Sequence, residues 1–155
     1  MTTGAFSLLT NSKKEVLLVL RRDVPLWDLP GGRVEVPERP SQTAIRETHE
    51  ETGLHIKLDG YQKRYIRPEI ADTQYLFHSS TYQGDEIVSG PETRRLQWFP
   101  FSRLPILLIP HRRKQIYDYF HNVEMPEIVL PENRVILATH GIRNLLRKFN
   151  RSGNL

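Results

Sequence analysis

The sequence predicts an α/β fold from three observations. Residues 40–52 carry clear start and stop signals for a helix, short β-rich stretches lie on both sides of it, and two apolar patterns at helical spacing follow residue 110. With 155 residues, 38% hydrophobic and 26% charged, the chain has the size and composition of one globular domain of about 150 residues. A single domain over 1–155 is expected, ending in a basic helical segment at 111–155.

Taken in order, residues 4–10 and 15–20 are apolar and rich in leucine and valine, with Asn11, Ser12, Lys13 and Lys14 between them. They read as two strands around a turn. Residues 27–33, Trp-Asp-Leu-Pro-Gly-Gly-Arg, read as a tight loop, because Pro30 has no amide proton and Gly31 and Gly32 admit positive φ. The helix 40–52 takes Pro40 in its first turn and stops at Gly53, a residue suited to a left-handed cap. Residues 54–58, 61–66, 73–82 and 94–99 are strand-like and are divided by Asp59-Gly60, Pro68 and the stretch 84–91. Residues 112–122 bring Ile116, Tyr119 and Phe120 to one side at helical spacing, and Ile142, Leu145, Leu146 and Phe149 repeat the pattern. Between them, residues 124–133 fit neither period.

The absence of cysteine excludes a disulfide framework, a thiolate metal cage and a cysteine nucleophile. The first residues lack the order of a secretory leader, and the aliphatic runs 16–20 and 106–109 fall far below a membrane span of about 20 residues. A soluble, cytoplasmic protein without membrane contact is the expectation. The whole formal charge of +4 falls after Pro110, since the preceding residues balance acidic and basic side chains. Such asymmetry suits contact with nucleic acid or another polyanion. Solvated faces of two amphipathic helices explain it more simply.

Within the helix, Glu47, Glu50 and Glu51 share a sector of roughly 100°, while Ala44, Ile45, Thr48 and Thr52 occupy the adjoining one and are expected to pack. Carboxylates at this spacing repel one another, so a positive group must compensate. Arg46, four residues before Glu50, supplies one cation. A hard dication such as Mg²⁺ would supply more, because it takes oxygen ligands and retains waters. The ordinary alternative is a solvated acidic face, which the bare Glu-x-x-Glu-Glu spacing does not exclude.

The loop before the helix adds to this. Gly32, Glu38 and then Arg46-Glu47-Thr48-His49-Glu50-Glu51-Thr52-Gly53-Leu54 resemble the Nudix box of MutT-like hydrolases at every position but one. The approach Trp27 to Gly32 and residues 96–105 also resemble that family's flanking regions. The exception is Thr48, where the family has Ile, Leu or Val. Its hydroxyl is expected to bond the carbonyl four residues back and to loosen the helix locally without touching a carboxylate. Arg39 departs too, standing where a Ser or Thr cap is common.

The resemblance implies an α/β/α sandwich around a mixed β-sheet, with two additional C-terminal helices. It implies hydrolysis, with Mg²⁺ or else Mn²⁺, of a pyrophosphate linkage in a nucleoside diphosphate joined to another group. By resemblance, Glu47, Glu50 and Glu51 are metal ligands, the Gly31 carbonyl is a backbone ligand, Glu38 is an outer or second-metal ligand, and Arg46 orients the glutamates. The general base is Glu47 or, on the loop before Trp98 that also carries Asp85 and Glu86, Glu92. Arg21 and Arg22 are candidates for substrate phosphates, although arginines at strand ends are commonly solvated. Trp27 either stacks on a base or packs beneath the Gly31-Gly32 turn, and packing is favoured. The six histidines show no ligand spacing, and His49 projects away from the acidic sector. Pro68 lies at a distance beyond the box where ADP-sugar pyrophosphatases of similar sequence often have a proline, which suggests ADP-sugars by resemblance, although a proline in a strand-connecting loop has an ordinary structural explanation. Dinucleoside polyphosphates, free nucleoside triphosphates and capped RNA are the other substrates considered, the last favoured by the basic C-terminal end. A non-catalytic Nudix-like module that binds a nucleotide for regulation is the alternative function, against which the three intact glutamates argue.

Overall fold

A computed structural model describes residues 1–87 and 89–130. An interior strand of its main sheet, β1 (Thr2–Leu9), is buried on both faces over most of its length, which is why its sequence is a nearly continuous apolar run rather than an alternating one. Phe6 and Leu8 enter one core, and Ala5 enters another. In chain order there follow β2 (Glu15–Arg21), β3 (Trp27–Asp28), β4 (Gly31–Arg33), α1 (Pro40–Thr52), β5 (His55–Lys57), β6 (Gln62–Arg67), β7 (Asp72–Ser79), β8 (Thr81–Gln83), β9 (Thr93–Pro100), α2 (Pro110–Phe120) and β10 (Glu127–Val129).

The main sheet is mixed, with strand order β10-β6-β7-β1-β4. β1 runs parallel to β7 and antiparallel to β4, and β10 runs parallel to β6. β3, β2 and β9 form a separate antiparallel sheet, and β5 pairs with β8. α1 covers one face of the main sheet, where Ala44 meets Ala5 and Phe77. The other face is shared by the smaller sheet, through Val16, Leu18 and Trp27, and by α2, through Ile116. The sandwich expected from the sequence is therefore present, with one outer layer divided between sheet and helix.

Several elements differ in detail. The turn after β1 is held by Asn11, whose side-chain oxygen accepts from the Lys13 and Glu15 amides at 3.0 Å each. The two strands it joins enter different sheets and are bridged at Thr10–Val16. Loop conformation in 27–33 is confined to Leu29 and Pro30, because the residues on either side pair with β2 and β1. The strand expected over 73–82 is interrupted at Ser80, beside a Ser79 hydroxyl that donates to backbone carbonyls. Ile45 does not pack as expected; it is 39% exposed, because the buried stripe of α1 runs through Ala44, Thr48 and Thr52. Residues 124–133 contain β10, a strand of three residues, too short for its alternation to be read. The second C-terminal helix, with Ile142, Leu145, Leu146 and Phe149, lies outside the described residues. Among the described residues no helix is long and apolar enough to cross a membrane.

Candidate active site

The boundaries of α1 place its carboxylates. Pro40 opens the helix, and Gln42 closes half of a capping box by accepting the Arg39 amide at 2.8 Å, so the unusual cap is compensated. Gly53 ends the helix at φ 79°, with its amide donating to His49 O. A side chain at Gly53 would run into the Asp85 carbonyl of the loop before β9. Thr48 is fully buried, and its hydroxyl donates to Ala44 O at 2.7 Å, the back-bond expected from the sequence.

Arg46 gathers three of the acidic side chains. Its Nε and one Nη donate to both oxygens of Glu38 at 2.7 and 3.0 Å, a two-pronged geometry that lysine cannot reproduce. Its other Nη donates to Glu47 and Glu50 at 3.0 Å each. These contacts, with the Thr43 hydroxyl, hold the Glu38 carboxyl down at about 2. They hold the Arg46 guanidinium above its ordinary range.

Glu51 is different. It is 7% exposed, it is not one of the three carboxylates that Arg46 bonds, and its Oε2 accepts the Gly31 amide at 2.9 Å. Burial pushes its carboxyl up to about 8; the Asp28 charge adds to that, while the Gly31 bond and the Arg21 charge oppose it. Burial also raises the Glu47 carboxyl, against the pull of Arg46. Gly32 makes room for it, since a Cβ there would stand 2.6 Å from the Glu47 carboxyl group. The result is two carboxylates, Glu47 and Glu51, drawn into low dielectric beside a glycine backbone.

A divalent cation fits this donor set. Among the described residues no three carboxylates or imidazoles are already gathered into a cage, because Glu38, Glu47 and Glu50 converge on Arg46. Mg²⁺ does not need a protein cage; it commonly takes one or two carboxylates, waters and substrate phosphate oxygens. Glu51 and the Glu47 oxygen not bonded to Arg46 supply the hard, buried, under-compensated anions such an ion requires.

The other expected residues are placed as follows. The Gly31 contact to the helix runs through its amide, and the residue sits opposite Phe6 at the start of β4. Arg21 is held by Asp23, with two bonds of 2.8 Å, and by Asp28 at 3.4 Å, so its guanidinium is already occupied by carboxylates. Arg22 does not extend freely; its Nε donates to Gly90 O at 2.7 Å and its amide to Glu92 O at 3.0 Å, which ties the loop before β9 to β2. Trp27 is 9% exposed and packs edge-on against Phe99 at 4.9 Å. Of the acids on the loop, Glu86 accepts the Trp98 indole N–H at 2.7 Å, whereas the charge of Glu92 reaches Glu47. His49 stacks on His55 at the exposed surface.

One functional neighbour was invisible in the sequence. Arg112, counted with the basic C-terminal end, is 2% exposed. It donates to Asp28 at 2.5 Å and to Gln74 and Gln115 at 2.8 Å each, and lies 3.5 Å over the Phe6 ring. Two of its bonded partners, Asp28 and Gln74, are distant in sequence and the third, Gln115, lies one turn along α2, so only a polar residue at an inward helical position could have signalled it. Nearby, Lys114 pairs with Asp118, and Arg113 donates to Pro105 O, so the described cations of this segment have internal partners.

The NUDIX domain model matches residues 1–120. The chain belongs to the Nudix family. It is 37% identical over 147 residues to a Bacillus subtilis protein provisionally named an 8-oxo-dGTP diphosphatase, covering 95% of this chain and 99% of that one. It is a Nudix hydrolase, MutT-like and of pyrophosphatase type, and the reading as a non-catalytic module falls away. Solved structures agree on the fold. An ADP-ribose pyrophosphatase from Streptococcus suis superposes with TM-score 0.68 at 19% identity, covering 84% of this chain and 98% of that one. A MutT Nudix hydrolase from Burkholderia pseudomallei gives 0.63 at 21%, covering 75% and 95%.

Proposed function

We propose that this Nudix hydrolase cleaves a pyrophosphate linkage of a nucleoside triphosphate, with Mg²⁺ or Mn²⁺ held by Glu47, Glu50 and Glu51, the Gly31 carbonyl and, further out, Glu38. The observation that carries this reading is the buried Glu51 carboxyl, which accepts the Gly31 backbone amide while Arg46 bonds Glu38, Glu47 and Glu50. When bound, the ion supplies positive charge to the phosphate oxygens on which negative charge accumulates.

The chain's own residues do the rest. Arg46 fixes the rotamers of Glu38, Glu47 and Glu50 through four bonds, so the carboxylates are preorganised. Glu47 Oε1 is taken by Arg46. Glu47 Oε2 is therefore the oxygen left to act: it would hold the ion through one of the ion's waters and take a proton from the attacking water, and the burial that raises this carboxyl suits it to a base. Glu92 is the alternative base, supported by the effect of its charge on Glu47.

A triphosphate is preferred to an ADP-sugar because of the name carried by the Bacillus subtilis relative. The proline signal, in contrast, has a local cause. Pro68 opens a 3-10 turn, Pro68–Ile70, whose carbonyl accepts the Ala71 amide at 3.1 Å as the chain turns into β7.

The test is hydrolysis of 8-oxo-dGTP, dGTP and ADP-ribose with Mg²⁺, Mn²⁺ or excess chelator, with products resolved by chromatography. The reading expects monophosphate and pyrophosphate from a triphosphate, and a loss of about 10²-fold or more in kcat for Glu51→Gln, the scale of one deleted transition-state contact. Turnover unchanged in chelator overturns the metal, and ADP-ribose as the preferred substrate overturns the triphosphate.

A further inference from the structure

The main sheet is wider than the helix on its α1 side. Its five strands, about 4.8 Å apart, span about 19 Å between outer axes, whereas a helix with its side chains is about 10 to 12 Å across. α1 packs chiefly on β1 and β4, with β7 at its margin. The strand order leaves β6 and β10 beyond it.

The register defines what this outer half presents. Ala5 faces α1, and the cross-strand row Ala5–Tyr75–Arg64–Glu127 shares its face. So does the row Thr3–Thr73–Ile66–Val129. β6 is accordingly one-sided: Lys63, Tyr65 and Arg67 are buried on the α2 side, while Gln62, Arg64 and Ile66 are exposed or half-buried. Val129 is 60% exposed. Ile45 frames the strip from α1. It lies about 160° around the helix from Glu47, whose flank meets Gly32 on β4, so it projects toward β7 and β6.

The last described strand ends beside this strip. Leu130, whose amide donates to Ile66 O at 2.8 Å, is followed by residues 131–155. Residues 131–141 reach about 36 Å when extended, enough to turn back across the sheet. The sequence then brings Ile142, Leu145, Leu146 and Phe149 to one side at helical spacing, with Arg143, Arg147 and Arg151 on the other. A helix this short is marginal by itself in water, so its apolar side needs a surface. The α2 side next to β10 is already filled by Ile128 and Leu130. Tyr117, the exposed ring on α2, already stacks on His121 at 3.7 Å.

We propose that the outer half of this face is the docking surface for the chain's own C-terminal segment, with residues 142–149 lying beside α1 across β6 and β10 and their apolar side on Ile45, Tyr75, Ile66 and Val129. The arginines then point outward, which puts the basic end of the chain on the α1 side of the molecule.

The chain has no cysteine, so Asn144→Cys gives a single attachment point for a nitroxide on the polar side of the segment. In the full-length, isotopically labelled protein, the oxidised nitroxide should erase the amide signals of Ile45, Tyr75 and Ile66, residues remote from it in sequence, and reduction should restore them. Leu145→Asp/Phe149→Asp in the same chain should return those signals with the nitroxide still oxidised. Val129→Asp, at an exposed position, should do the same without disturbing the core. A mixture of nitroxide-bearing protein without isotopes and isotope-labelled protein without nitroxide separates a second copy from the chain's own segment, and should show no loss. The proposal is overturned if Ile45 and Tyr75 keep their signals, if the losses centre on Ile106 and Tyr117, if they survive the aspartate variants, or if they appear equally in the mixture.

Discussion

The Glu51 carboxyl accepts the Gly31 amide at 2.9 Å, joining residues twenty apart in sequence and fixing the glycine turn to α1. The bond satisfies one oxygen of a buried carboxyl, and neither it nor the Arg21 charge offsets what burial costs the ionised form. Much of the chemistry proposed for this site follows from that imbalance.

Stability without metal should fall as pH rises. The Glu51 carboxyl is raised from 4.5 to about 8 in the folded protein, so between those values the folded state holds a proton that the unfolded chain has released. Its contribution to stability is complete below about 4.5 and is lost as pH climbs through about 8. Glu47 acts in the same direction. Thermal unfolding in chelator across this window should show a declining Tm that Glu51→Gln flattens. A wild-type Tm that climbs over the window, or an equal slope in the variant, contradicts the assignment.

Arg46→Lys should cost activity although charge is kept. A lysine ammonium cannot bond both oxygens of Glu38 and also reach Glu47 and Glu50. The expected loss is about 10- to 100-fold, the range for partners that orient a metal's ligands. It should appear in kcat and in the metal concentration needed for half-maximal rate. Full activity at the wild-type metal requirement would show that the fork is dispensable.

Thr48→Val should be tolerated. The Thr48 hydroxyl bonds only its own helix, at Ala44 O, and no carboxylate. Replacing it with a methyl group of similar shape removes a donor and its strain together, so stability should change by no more than about 1 kcal/mol with kcat intact. Denaturant unfolding and a rate assay check this; a large drop in either would give the hydroxyl a role beyond the helix.

How much of this could be read beforehand differs by residue. The helix 40–52 was legible to the residue, because Pro40 and Gly53 mark its ends locally. Glu38, Glu47, Glu50 and Glu51 were legible as one acidic group, because a single helix and its preceding loop carry them. The unequal burial of Glu51 and Glu50 was not, since it depends on where α1 lies against β4. β10 escaped because three residues give too little pattern, and Arg112 because its partners Asp28 and Gln74 are remote in sequence. Arg22 was placed at a strand end and Trp27 in the glycine loop, but a sequence shows neither the Gly90 carbonyl that meets the first nor the Phe99 ring that packs on the second.

Arg112→Met should destabilise the protein by about 3 to 5 kcal/mol, the cost of leaving a buried charge without its partner. The charge left behind is that of Asp28, 2% exposed and bonded to Arg112 at 2.5 Å. Adding Asp28→Asn should recover part of the loss in denaturant unfolding. Additive losses in the double variant would mean that the two residues act independently.

The central claim is that the buried Glu47–Glu51 pair is where a divalent ion is held. Titration of Mn²⁺ into the nucleotide-free protein, followed by the loss of its free EPR signal, tests this directly. The account predicts binding that tightens as pH rises toward about 8, where Glu51 ionises, and that weakens about tenfold or more in Glu51→Gln, the scale of one lost charged contact. Equal Mn²⁺ affinity in the wild type and the variant, at every pH in that window, would contradict it.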